Sequence, residues 1–143
     1  MAITSAICNS FKTEILTGTH NFTASSGDTF NLALYTSDAS LGAATTAYTT
    51  SNEVSGSGYT AKGNALTSVT PVADSTTAVC DFADTSFTSA SFTARGCMIF
   101  NDSATGDPAV CVIDFGSDKT VTSGTFTIQF PAADASNAIV RIA

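Results

Sequence analysis

The stretch ARGCMIFNDSATGDPAVCVIDFGS, residues 94–117, decides the fold of this chain. Two apolar runs, at 97–100 and 110–113, flank a connector of turn-forming residues at 101–108. Short apolar runs on either side of an Asn/Asp/Gly/Pro cluster predict a β-hairpin. Because both runs are almost continuously apolar, we expect them to be central strands that are buried on both faces of a sheet.

Folding this hairpin symmetrically about Ala104 places Cys97 opposite Cys111. The chain has four cysteines and no CxxC pair, which argues against a zinc ribbon or a thioredoxin-like exchange site. Free cysteines behave as small buried hydrophobes, so we expect buried thiols. The alternative is a cross-strand disulfide between Cys97 and Cys111, formed after release from the reducing cytoplasm.

The sequence on both sides of the hairpin is also β-rich, and turn signals recur about every 8–12 residues. This pattern predicts one domain over residues 1–143, an antiparallel β-sandwich of jelly-roll or immunoglobulin-like type, with strands from about residue 29 to 142. Phe87 and Phe92 have opposite parity, which predicts a bend near residues 89–90. A second hairpin is expected around Gly63 and Asn64.

The first residues of the chain have helical spacing. Ile3, Ile7, Phe11 and Ile15 recur at every fourth position, and Gly18 follows them as a stop signal. We therefore predict one short N-terminal α-helix over about residues 4–17, whose apolar stripe packs on the sheet or reaches a neighbouring subunit.

Charge and composition exclude several classes of partner. The chain is 43% hydrophobic but only 12% charged, where about 25% is usual for a soluble domain. Its formal charge is −7 and its five cations are scattered singly. Without a basic patch, we expect it to bind neither nucleic acid nor an anionic membrane.

The sequence contains no pattern for membrane insertion or export. No apolar run approaches the ~20 residues that a transmembrane helix needs, and the N-terminus lacks the basic and apolar regions of a signal peptide. We therefore expect synthesis and assembly in a reducing cytoplasm.

No set of residues has the spacing of a catalytic or metal site. His20 is the single histidine, and we expect it to be structural. The carboxylate pairs Asp81/Asp84 and Asp102/Asp107 suit glycosidase acids or calcium ligands, but aspartates are common at strand ends. We expect no enzyme activity, no metal and no cofactor.

Five sequence segments together resemble a family of small virion structural proteins of tailed bacteriophages. They keep their order over nearly the whole chain: MAIT with CNSFKTEIL, DTFNLALYTSDASLGA, NEVSGSGYTAKGN, DFADTSFTSASFTARG and FTIQFPAADASNAIVRIA. The resemblance implies a virion component, and its leading interpretation is a capsid decoration (cement) protein that stabilises the assembled shell. The alternatives are a tail tube, adaptor or fibre-associated protein, and a carbohydrate-binding adhesion module.

This interpretation implies binding partners. We expect a homo-oligomer, trimer or dimer, bound to the major capsid protein or other virion proteins. The contact residues that we expect are Ile3, Ile7 and Phe11 of the N-terminal stripe, together with Arg141 near the C-terminus.

Overall fold

A computed structural model describes residues 2–143, which form a mainly β protein with two antiparallel sheets and one short helix. In chain order, the elements are β1 (Ala6–Ile7), α1 (Asn9–Leu16), β2 (Phe30–Tyr35), β3 (Asn64–Ala65), β4 (Ser68–Asp74), β5 (Thr77–Phe82), β6 (Thr85–Asn101), β7 (Ala109–Ile128) and β8 (Val140–Ile142). One sheet has the order β1-β7-β6-β2-β3, and the other has the order β4-β5-β8. The predicted fold class, a β-sandwich with one helix, is confirmed.

The predicted central hairpin is also confirmed. β6 and β7 pair antiparallel and lie inside the five-stranded sheet, between β2 and β1. Residues 96–101 and 108–112 are buried, as expected for strands covered on both faces. The connector turns through Gly106 and Asp107, whose φ angles are 85° and 49°.

The predicted pairing of Cys97 with Cys111 is wrong. The turn is asymmetric, with Phe100 opposite Ala109, and a register shift between Phe100 and Ile99 adds to this asymmetry, so Cys97 lies opposite Ile113 and Cys111 lies opposite Ile99. The two cysteines are diagonal neighbours, and diagonal positions are about 7–8 Å apart, beyond the usual Cα span of a disulfide. All four cysteines are free and buried, which confirms the expectation of buried thiols.

The predicted helix begins too early. Residues 4–8 are not helical, and β1 pairs with the edge of β7 through Ala6 opposite Val112 and Ile7 opposite Cys111. This pairing satisfies backbone groups that a longer helix would have satisfied internally, so tertiary contacts override the helical periodicity. The helix starts only at Asn9 and ends at Leu16, before Gly18 with its φ of 76°.

The predicted bend in the sixth strand is confirmed at residues 89–90. Ser89 has a φ of 49°, and the register of β6 against β7 shifts between Phe87 and Ala90 and again between Ala90 and Phe92. Such bulges increase strand twist and re-aim the side chains. Phe87 and Phe92 are therefore both buried in spite of their opposite parity.

The two sheets pack through aromatic side chains. Phe30 of β2 stacks on Phe22 with ring centroids 4.2 Å apart, and Phe82 of β5 lies 5.9 Å from Phe30. His20 joins this cluster and is tied on both sides, with Nε2 3.0 Å from Glu14 Oε1 and Nδ1 3.1 Å from Asn101 Nδ2. The cluster connects the helix, both sheets and the central hairpin.

Candidate interaction surface

A shallow groove of about 320 Å³ lies between α1 and β8 and is lined mainly by apolar side chains. Its lining consists of all three β8 residues together with Ile7, Phe11, Lys12, Ile15 and Leu16. We call it the α1/β8 groove. It brings the two ends of the described chain to one surface.

Three of the four predicted contact residues meet in this groove. Ile7, Phe11 and Arg141 all line it, although Phe11 is itself buried in the core. Ile3 lies elsewhere, because it forms a parallel bridge with Leu41 and its side chain covers Gly96. Since Ile3 is buried within its own chain, it is not available as a surface contact.

The most exposed apolar side chains of the groove were missed by the sequence reasoning. Leu16 is 87% exposed and Ile142 is 53% exposed. Leu16 lies outside the series of apolar residues at every fourth position that predicted the helix. This position was the one feature of the sequence that indicated its exposure. An apolar residue in the last turn of a helix and outside its packed stripe points away from the core.

The rim of the groove is cationic in an acidic protein. Lys12 and Arg141 are two of only five cations in a chain of formal charge −7. Arg141 is held in place, since its Nη1 donates to the carbonyl oxygens of Ala135 at 3.3 Å and Ser136 at 2.7 Å. The groove therefore combines apolar lining with positive charge, which suits an apolar segment that carries acidic residues.

A larger apolar cleft of about 560 Å³ lies beside β7 and the segment that follows it. Its lining includes Phe115, Phe126, Ile128, Phe130 and Ile139, with Lys119 as its cation. None of the predicted contact residues reaches it. The sequence did not predict this cleft, because the bulged middle of β7 and residues 129–139 meet only in the tertiary structure.

The cysteines lie in surroundings that suppress thiolate chemistry. Burial raises the pKa of Cys97 to about 12, and burial together with the charge of Glu14 raises the pKa of Cys8 to about 11. Because the thiolate is the nucleophile and the metal ligand, these thiols are poorly reactive near neutral pH. Among residues 2–143, no group of three or more His, Cys, Asp or Glu side chains is arranged to hold a metal ion.

Asp81 of β5 is a carboxylate buried without full hydrogen bonding. Its Oδ1 accepts a hydrogen bond from the Phe82 backbone N–H at 2.9 Å, whereas Oδ2 is buried and has no partner among the described residues. Burial raises the pKa of Asp81, and the charges of Asp84 and Asp134 raise it further. The ionised form is therefore disfavoured in the folded protein relative to the unfolded chain.

Replacing Asp81 by asparagine should stabilise the protein at pH 7, by on the order of 1 kcal/mol. The raised pKa means that ionised Asp81 destabilises the fold above its folded-state pKa, and this penalty disappears as pH falls toward the unfolded-state value. The advantage of Asp81→Asn should thus shrink between pH 7 and pH 4. Urea unfolding of both proteins at the two pH values measures it.

The control for this prediction is Asp38→Asn, which removes an exposed carboxylate. We expect this variant to change the unfolding free energy by less than about 0.5 kcal/mol at either pH. A stabilisation by Asp81→Asn that is equal at pH 7 and pH 4 would show that the charge of Asp81 is not its cause.

Comparison with known proteins gives no relatives: no family model, no curated protein and no solved structure matches the chain. Within residues 2–143, no helix has the length and apolarity that a membrane crossing requires.

Proposed function

We propose that this chain is a capsid decoration protein of a tailed bacteriophage, made in the host cytoplasm and carried on the virion. The observation that carries the proposal is that five sequence segments resemble small virion structural proteins of tailed bacteriophages. These segments keep their order over nearly the whole chain. Two features support it: a mainly β fold poor in charged residues, and an apolar groove that the single chain leaves open.

The mechanism is stabilisation of the shell by mass action. A protein that binds only the assembled shell lowers the free energy of that state, by about 2.7 kcal/mol per site when its free concentration is 100 times Kd. Such a role needs complementary surfaces and no chemical step. The partners are the major capsid protein and further copies of this chain.

The α1/β8 groove is the surface through which neighbouring copies of this chain contact one another on the shell. Binding energy at protein interfaces is concentrated in a few side chains that become fully buried, and exposed Leu16 and Ile142 are available for that role here. Lys12 and Arg141 at the rim add attraction to acidic surfaces and help to set the orientation of docking.

The test is an add-back experiment on particles that lack this protein. Wild-type protein should restore decoration, measured by gel densitometry, and should raise the temperature at which the shell releases DNA. Leu16→Asp should weaken binding about tenfold or more, because a carboxylate would have to be desolvated in the contact. Since Leu16 is exposed, the far-ultraviolet circular dichroism spectrum of the variant should match that of the wild type.

Thr122→Asp is the matched control, because it adds the same charge at an exposed position of β7 outside the groove. It should decorate as well as the wild type. No binding of the wild type to shells, or equal binding by Leu16→Asp and Thr122→Asp, would contradict the proposal.

The number of copies of this chain per particle distinguishes a capsid protein from a tail protein. Decoration of the shell requires hundreds of copies per particle, whereas a tail tube, adaptor or fibre component would be present in a small multiple of six. Quantitative gel densitometry of intact particles against the major capsid protein measures this number. A count that follows the tail symmetry would overturn the capsid assignment.

A further inference from the structure

The four large apolar side chains that are exposed in the described part of the chain lie at the two free edges of one sheet. The sheet has the order β4-β5-β8, so β4 and β8 are both edge strands. Val69 and Val72 lie on β4 and are 41% and 56% exposed, whereas Ile142 lies on β8 and Leu16 lies beside it in the groove. Exposed apolar edge strands are templates for pairing with another chain.

The two edges carry opposite charges. Lys12 and Arg141 line the groove at the β8 edge. The β4 edge, Ser68–Asp74, has no cation and ends in exposed Asp74, whose Oδ2 accepts a hydrogen bond from the Ala135 N–H of its own chain at 2.7 Å. The β8 edge, with its two cations, is therefore repelled less by the β4 edge than by a second β8 edge.

The backbones of the two edges also match. β4 contains a bulge between Val69 and Val72 that includes Pro71, which has no N–H to donate. Beyond the bulge, residues 72–74 pair regularly with β5, and this regular segment has the same length as the three-residue β8. Both strands run antiparallel to β5 and so run in the same direction.

We propose that the α1/β8 groove is occupied by the β4 edge of a second copy of this chain. Val72 of the second copy packs against Leu16 and Ile142, and the three-stranded sheet continues across the boundary between subunits. This inference rests on the proposed function, for which it names the partner of the groove. The contact is heterologous, so repeating it builds a closed ring if the rotation between copies closes.

A symmetric contact between two β8 edges fits the surface less well. It would bring Lys12 and Arg141 of both copies together, and like charges across an interface oppose association. It would also leave Val69 and Val72 in water. The heterologous contact removes both difficulties, because it covers all four exposed apolar side chains and places Lys12 and Arg141 against an edge that has no cation.

Cross-linking of paired variants tests the proposal. Ile142→Cys and Val72→Cys each add one exposed thiol, while the four native thiols are buried and react slowly. A short bis-maleimide reagent should join the two variants when they are mixed, and should give little product with either variant alone. Cross-linking of Ile142→Cys to itself, or no product in the mixture, would overturn the proposal.

Light scattering gives a second measurement on the purified protein. We expect a discrete oligomer of at least three copies for the wild type and for Thr122→Asp, and monomers for Leu16→Asp and Val72→Asp. Loss of the oligomer in a variant at each of the two edges indicates a contact between β4 and the groove, and a wild-type oligomer of at least three copies indicates that this contact is heterologous. A monomeric wild type, or an oligomer that survives Val72→Asp, would overturn the inference.

Shell binding is measured separately, so the two proposals can fail separately. If the wild type forms the ring but does not bind shells, decoration is wrong and the β4-to-groove contact stands. If it binds shells as a monomer, decoration stands and the contact is wrong.

Discussion

Replacing Gly63 by alanine should lower the free energy of unfolding by about 4 kcal/mol, which is near the upper end for a single substitution. Gly63 has a φ of 66°, a left-handed conformation that disfavours any residue with a Cβ. A Cβ at this position would also clash with the backbone carbonyl of Leu32 in β2, a strand whose six residues are all buried. Denaturant unfolding followed by circular dichroism measures the loss.

Gly106→Ala is the matched control for this prediction. Gly106 also has a positive φ, 85°, but a Cβ built there meets no atom within 4 Å. Gly106→Ala should therefore lower the free energy of unfolding only by the conformational cost of a Cβ at a positive φ, which is about 1 kcal/mol. Equal losses in the two variants would mean that the close approach of residue 63 to β2 contributes nothing.

Replacing Glu53 by alanine should destabilise the protein by about 3 kcal/mol, because it removes the acceptor of three hydrogen bonds at once. The Glu53 carboxylate accepts bonds from Tyr59 Oη at 2.6 Å, Tyr48 Oη at 2.6 Å and the Lys62 backbone N–H at 2.8 Å. Tyr59 Oη also accepts a bond from the Leu34 N–H of β2, so this network attaches the long connection between β2 and β3 to the sheet.

A spectroscopic signature accompanies the loss of stability. Burial and the hydrogen bond to Glu53 raise the pKa of Tyr48 to about 12, and the same two causes raise the pKa of Tyr59 further. Ultraviolet titration of folded Glu53→Ala should show tyrosine ionisation that begins at lower pH than in the wild type. Glu53→Gln keeps one acceptor oxygen and should lose less than half as much stability. Near-wild-type stability of Glu53→Ala would contradict the role of this network.

The central hairpin was predictable because its signal is local. Two apolar runs and a turn-forming connector leave one arrangement of adjacent strands, and β6 and β7 adopt it. The bend at Ser89 was predictable for the same reason, because the parity of Phe87 and Phe92 changes within five residues. Register was less predictable, since an asymmetric turn and a one-residue irregularity between Ile99 and Phe100 together displaced the expected pairing of Cys97 with Cys111 by two residues.

The start of the helix and the role of Gly63 required distant partners. Ile7 fits a helical stripe in sequence, yet it pairs with Cys111 more than a hundred residues away. Gly63 was interpreted as a hairpin turn, whereas Asn64 and the next residue pair with β2 and Gly63 lets the chain approach that strand. Local sequence patterns do not predict such contacts, because the pairing and packing energies that favour them come from residues in distant parts of the chain.

The candidate surface was predictable in part. Ile7, Phe11 and Arg141 were named from the sequence and lie together in the α1/β8 groove, whereas Ile3 is buried where it pairs with Leu41 and covers Gly96. Leu16 and Ile142, the exposed members, were not named. Whether an apolar side chain is covered depends on what packs over it, and periodicity does not carry that information.

By itself, the sequence determined the mainly β class, the central hairpin and the burial of the thiols. All of these follow from composition and from residues near one another along the chain. Only the tertiary structure decided where the helix begins, how the cysteines are offset and which apolar side chains remain in water at the edges of the β4-β5-β8 sheet. These features depend on long-range pairing and packing, whose energies are set by residues far apart in sequence.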